Sequence, residues 1–227
     1  MHKLEQIAEA IRREFDEQNA ARDQALAQAR ALTRACALAI RAVHRQETEL
    51  MQAHLQEAAR LANELRTGLQ SYPDLYHSGY TQDAFKEYAE ASITCALILH
   101  QPLPTPQELG LLPHAYLNGL AEAIGELRRR ILDILRHGYS EEVEILLGHM
   151  DDIFSVLVTM DYPDAITYGL RRQTDVARSI IERTRGDVTF SLRGEHLERS
   201  LSQLIRQVAG GDEINGSTFQ PLLPEEE

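Results

Sequence analysis

Apolar residues recur every three or four positions through most of this chain, the period of an α-helix. Leu4, Ile7, Ala8, Ile11 and Phe15, continued by Leu26, Leu32, Leu38 and Ile40, predict a first helix from about Lys3 to Arg45. Leu50, His54, Leu55, Ala58, Leu61, Leu65 and Leu69 predict a second from about Thr48 to Gln70, with His54 as a boundary packing residue. Ser71 to Tyr80, rich in turn formers and tyrosine, reads as a connector. A third helix, with Thr81 as its N-cap, ends near His100. After the stiff Gln101-Pro102-Leu103-Pro104-Thr105-Pro106 link, a fourth runs from about Pro113 to Arg136 and stops at Gly138. A fifth starts at Ser140 and reaches Met160, with Ile145, Leu146, His149, Ile153, Phe154, Val156 and Leu157 as its buried side. A sixth begins at Asp161-Tyr162-Pro163 and carries Ala165, Ile166, Tyr168, Leu170, Val176, Ile180 and Ile181. A last amphipathic helix spans about 194–208. The expected fold class is all-α: a single-domain antiparallel helical bundle of about seven helices over residues 1–209, followed by a disordered acidic tail over 210–227.

Composition narrows the function. The 227 residues carry a net charge of −12, which excludes a simple basic coat for duplex nucleic acid but not a local basic patch. Such a patch is written into the first helix. Arg30, Arg34, Arg41 and Arg45 fall within about 60° of one another at 3.6 residues per turn, with His44 beside them. A line of spaced cations suits a single-stranded backbone; the bland alternative is a solvated face paired with nearby acids. Cys36 and Cys95 lack metal spacing and fit a reduced cytoplasm. No apolar run is long enough to span a bilayer, and Met1-His2-Lys3-Leu4-Glu5 shows no signal pattern.

Candidate chemistry lies in two carboxylate pairs. Glu87 and Glu90 stand one helical turn apart, as do Glu122 and Glu126. With 35 acidic residues in the chain, spacing alone singles out neither pair. The segment after Glu90 distinguishes the first: Ala91 to Leu99 is apolar or small all round, the mark of a buried helix. Carboxylates running into such a face are costly unless paired or ligated. The alternative places Glu87 and Glu90 at the wet end of a helix that dives inward. Glu122 and Glu126 lie opposite the Leu117, Leu120, Ile124, Leu127 and Ile131 stripe, which fits a solvated face. Ala115, Gly119 and Ala123 nevertheless flank them, and small residues let another helix approach. If the two helices pack together, four carboxylates converge, as a hard cation such as Mg²⁺ or Mn²⁺ requires.

Three segments carry a family resemblance. Arg22-Asp23-Gln24-Ala25-Leu26 through Ile40-Arg41-Ala42-Val43-His44-Arg45 resembles the opening helix of the translin/TRAX family. Lys86-Glu87-Tyr88-Ala89-Glu90-Ala91 resembles its catalytic-subunit motif, and Tyr116 through Arg129 resembles its YLxGxxDLxGELxR motif. Leu170 to Ala177 is a looser match. The resemblance spans about residues 10–187. It implies that Glu87, Glu90, Glu122 and Glu126 bind metal and catalyse, Glu122 standing where the family usually has Asp. It further implies a metal-dependent endoribonuclease acting on single-stranded RNA, or single-stranded DNA, inside an octameric homo-oligomer, with Arg30, Arg34, Arg41 and Arg45 facing the nucleic acid. The helix after about residue 188 has no place in that pattern. Two other readings stay open: a non-catalytic single-strand binding protein and a helical scaffold without a nucleic acid partner.

Overall fold

The helical period is realised along almost the whole chain. A computed structural model describes residues 2–211 and shows no strand among them. The elements are α1 (His2–His44), α2 (Thr48–Gly68), α3 (Pro73–Tyr76), α4 (Gly79–Ile98), α5 (Pro106–Leu109), α6 (Pro113–Leu135), α7 (Glu141–Leu157), α8 (Asp164–Thr167) and α9 (Leu170–Gly211). About seven helices were expected; among the described residues there are six long ones and three single turns. The extra turns arise where the connectors themselves wind up, each with a proline at or beside its start.

Other boundaries differ for local reasons. Helix α4 begins at Gly79, before Thr81. Thr81 is buried and its Oγ1 donates to the Leu75 carbonyl, bracing the connector instead of capping the helix. The expected sixth helix is broken. Tyr168 (φ 52°) and Gly169 (φ 87°) are left-handed and separate α8 from α9. The separate helix expected over 194–208 does not exist, because α9 runs unbroken from Leu170 to Gly211. Gly186 and Gly194 sit inside it at a cost of roughly 1 kcal/mol each, too little to end a helix whose flanking residues favour it. Residues 210 and 211 therefore end α9, and the rest of the expected acidic tail lies outside the described residues.

Helix α4 is the centre of the protein. Every residue from Ala91 to Ile98 is buried, together with Ala84, Phe85, Tyr88 and Ala89. Helices α1 and α6 flank it, and α7 and α9 pack on α6. Within the bundle, α1 and α2 form an antiparallel hairpin, as do α6 and α7, where Arg130 pairs with Glu142 at 2.9 Å. By contrast α4 and α6 run in the same direction. His114 bonds Gln82 and, further along both helices, Glu122 bonds Lys86. Helix α9 also runs parallel to α6, with Gln173 on Glu122 and Thr184 on Arg128. Towards the end of α6, Arg128 pairs with Asp187 and Arg130 with Glu142. At the surface, Asp151 pairs with Arg185. Tyr72, Tyr76 and Tyr80 pack the connector onto the core.

Two apolar stripes find no partner among the described residues. Leu4, Ile7, Ile11 and Phe15 on α1 are all exposed, as are Phe190, Leu197, Leu201 and Leu204 on α9. Ile145 and Val156, expected on a buried side, are exposed, and so are Ile166, Tyr168 and Val176.

Helix α6 comes close to the backbone of α4 at Gly119. A Cβ there would lie 2.6 Å from the Ala89 Cβ, 2.7 Å from the Lys86 carbonyl oxygen and 2.8 Å from the Glu90 amide nitrogen. Two of those atoms are backbone and cannot swing aside. Gly119→Ala should therefore destabilise the fold by about 2 kcal/mol in chemical denaturation, despite alanine's better helix propensity. Gly125→Ala, further along the same helix, meets nothing within 4 Å and should stabilise it by up to about 1 kcal/mol. Equal effects at the two glycines would contradict the packing.

Candidate metal centre

Gly119 sets the geometry of the site. With α6 lying backbone to backbone on α4, Glu122, one turn beyond Gly119, comes up against Glu87 and Glu90. One carboxylate oxygen from each of Glu87, Glu90 and Glu122 lies within 4.8 Å of the others, and all three residues are half-buried. Glu122 thus faces another helix, and Glu87 and Glu90 stand half-buried just before the stretch where α4 is buried all round. Glu126, one further turn along α6, is drawn to the side. Its carboxylate accepts from His44 Nε2 at 2.5 Å and from Arg129 Nη1 at 3.4 Å.

Three neighbours that the sequence did not single out as site residues complete the arrangement. Lys86 Nζ lies 2.8 Å from Glu122 Oε1 and 3.5 Å from Glu87 Oε1. Gln173 Nε2 on α9 donates to the same Glu122 oxygen at 2.9 Å. The His44 side chain is only 3% exposed, and its Nδ1 has no hydrogen-bond partner among the described residues. Lys86 was visible in the sequence as the neighbour of Glu87. For His44 and Gln173 no local signal existed, because their partners lie 82 and 51 residues away.

The electrostatics separate the four carboxyls. Glu90 accepts no side-chain hydrogen bond and no ion pair among the described residues. Burial, then the charges of Glu87, Glu122 and Glu126, push its pKa up to about 8. Burial also raises Glu87, with Lys86 opposing and Glu122 reinforcing the shift. Glu126 is lowered, chiefly by the His44 hydrogen bond. Burial works against the Lys86 ammonium, but Glu122, Glu87 and Asp83 outweigh it and its pKa rises. On α1, burial and the same Glu87 and Glu90 charges hold the Cys36 thiol far above its ordinary range, so it is inert.

Arg30, Arg34 and Arg41 lie on the solvent face of α1 and Arg45 just beyond its end, all exposed. None makes an ion pair among the described residues. Arg41 and Arg45 lie either side of His44 in the chain, with their own side chains in solvent. Arg30 and Arg34 line a groove between α1 and α2 with His54 and Leu61.

No family model matches the chain. An uncharacterized protein of Methanocaldococcus jannaschii is 30% identical over 184 residues, 78% of this chain and 81% of that one. C3PO from Archaeoglobus, solved with duplex RNA, superposes with a TM-score of 0.77 at 31% identity, covering 82% of this chain and 96% of that one. C3PO is a translin/TRAX assembly. This chain belongs to the translin/TRAX family. A second Archaeoglobus C3PO structure gives 0.76 at 30% identity, covering 82% and 97%. The Neurospora C3PO, at 19% identity and a TM-score of 0.74 over 81% and 96%, shares the fold. No described helix of this translin/TRAX chain is long and apolar enough to cross a membrane.

The Glu90 shift has a measurable sign. In the unfolded chain its carboxyl ionises near 4.5, and in the folded protein only near 8. Between those values the folded state binds more protons, so stability falls as pH rises through the window. Glu126 has the opposite sign: its contribution is present above the ordinary carboxyl range and lost as pH falls below it. In chelator, the melting temperature should decline from pH 4.5 towards 8 more steeply than in Glu90→Gln. Parallel profiles for the two proteins would contradict the placement of Glu90.

Proposed function

We propose that this chain is a divalent-metal-dependent endoribonuclease of the translin/TRAX type, acting on single-stranded RNA. Mg²⁺ or Mn²⁺ is held by Glu87, Glu90 and Glu122, with Glu126 as the fourth carboxylate at its edge. One observation carries the reading: Glu90 is a half-buried carboxyl with no donor, facing three others. A divalent cation relieves that arrangement; protonation up to about 8 is what the residue does without one.

The donors fit such an ion. Carboxylate oxygens are the ligands that hard cations take. Oxygens shared by one Mg²⁺ lie no more than about 4.2 Å apart, given bonds of about 2.1 Å. The cluster, with oxygens inside 4.8 Å, is close to that spacing before anything is bound. When bound, the ion supplies charge neutralisation at a scissile phosphate and a water of lowered pKa.

The rest falls to the protein. Glu87, Glu90 and Glu122 bind. Gln173 and Lys86 orient Glu122, and His44 fixes Glu126. Lys86 also neutralises Glu87 and Glu122 in the metal-free state, which keeps the cluster from forcing α4 and α6 apart. Arg30, Arg34, Arg41 and Arg45, exposed and free of ion pairs among the described residues, hold phosphates and position the strand. The duplex RNA bound by the Archaeoglobus relative supports RNA as the ligand class. The homo-oligomer, an octamer by family resemblance, is supported by the two uncovered apolar stripes on α1 and α9. Two buried free cysteines suit a cytoplasmic setting.

Glu90→Gln should abolish cleavage of single-stranded RNA in Mg²⁺ or Mn²⁺ while leaving RNA binding intact. The loss should exceed the 10–100-fold typical of residues that merely support a ligand. Full cleavage by that variant, or by the wild type in excess chelator, would contradict the site. A wild type that binds RNA but cleaves none with either metal would favour the non-catalytic binding protein. The Lys86 bridge, which already neutralises two carboxylates, is the observation that supports that second reading.

A further inference from the structure

We propose that Tyr168 is a stacking platform for an unpaired RNA base, two helical turns along the α6 seam from the carboxylates. The inference rests on the RNA reading above and adds a subsite to it.

The ring is built into place. Tyr168 holds a left-handed φ of 52°, a conformation L side chains rarely adopt. It is held there by two bonds to one residue. The Tyr168 amide donates to the Asp164 carbonyl at 2.8 Å, and the Gly169 amide donates to Asp164 Oδ1 at 2.8 Å. The ring stacks on His114, with centroids 4.2 Å apart and planes 24° from parallel. His114 is itself held by Gln82 at 3.0 Å. Burial, with His77 nearby, lowers the His114 pKa, so the ring beneath is a neutral imidazole. One face of Tyr168 is thus covered by a fixed flat ring, while the residue as a whole is 54% exposed. An aromatic side chain held in a costly backbone conformation and left half in water covers no core. A base stacked on its open face would bury it, and every base offers such a face.

The position is set by a ridge on α6. His114, Asn118 and Glu122 succeed one another at four-residue steps, and each meets the corner where α8 turns into α9. His114 meets the Tyr168 ring, Asn118 Nδ2 donates to the Thr167 carbonyl at 2.9 Å, and Glu122 accepts from Gln173. On α4 the same order holds, Gln82 at His114 and Lys86 at Glu122. The stack and the carboxylates therefore lie along one seam. Eight residues of α6 separate them, about 12 Å of helix, the reach of a short run of nucleotides. Arg172, one turn into α9 from Tyr168, is exposed and makes no ion pair among the described residues. It lines the cleft beside the Tyr168 corner together with Arg171, Asp161, Asp164 and Asp175.

Stacking needs a base that is not already paired. The test is fluorescence anisotropy, in chelator and at fixed salt, with a labelled single-stranded oligoadenylate and a blunt RNA duplex of equal length. Tyr168→Gly is the informative variant, because glycine favours the left-handed backbone. It should keep or raise the melting temperature while weakening single-strand binding roughly tenfold, with duplex binding unchanged. Tyr168→Phe should bind like the wild type. Undiminished single-strand affinity in Tyr168→Gly, an equal loss on both RNAs, or a loss in Tyr168→Phe would overturn the subsite and leave the RNA reading standing. A wild type that binds neither RNA would overturn that reading and the subsite with it.

Discussion

Where α6 crosses α4, backbone lies on backbone, and no atom larger than hydrogen fits at Gly119. That contact sets everything chemical in this protein. A methyl group there would part the helices, and Glu122 would no longer meet Glu87 and Glu90. Interiors are packed too tightly for such a shift to be absorbed locally. The same contact forces a cost. It gathers carboxylates in a half-buried seam where water cannot screen them well, and charge repulsion then works against the packing.

The protein meets that repulsion unevenly. Glu126 has His44 and Arg129; Glu122 has Lys86 and Gln173; Glu87 shares Lys86. Glu90 has no partner among the described residues. The asymmetry is informative, because a structural ion-pair network would leave no carboxyl without a partner at its centre. A site awaiting a cation would. The basic line on α1 is exposed and free of ion pairs among the described residues, in a chain of net charge −12.

Much of this was legible in the sequence, and what was not has physical causes. The apolar run from Ala91 to Leu99 marked α4 as buried and so marked Glu87 and Glu90. Ala115, Gly119 and Ala123 marked the face of α6 that another helix approaches. The stripe opposite Glu122 argued for a solvated face, because periodicity describes one helix and not what lies across from it. His44 and Gln173 were hidden for the same reason. A separate last helix was expected to begin near Gly194, but a mid-helix glycine costs too little to interrupt α9. The break that does occur, at Tyr168, is held by Asp164, four residues back, through bonds that a hydrophobic pattern does not register.

The account stands or falls on whether one cation sits among three particular carboxylates. Anomalous scattering from crystals grown with Mn²⁺ reads this directly. A single strong peak in coordination distance of Glu87, Glu90 and Glu122, absent from crystals of Glu90→Gln, is the predicted result. No peak there, with Lys86 still bridging Glu87 and Glu122 in the presence of the metal, would contradict it.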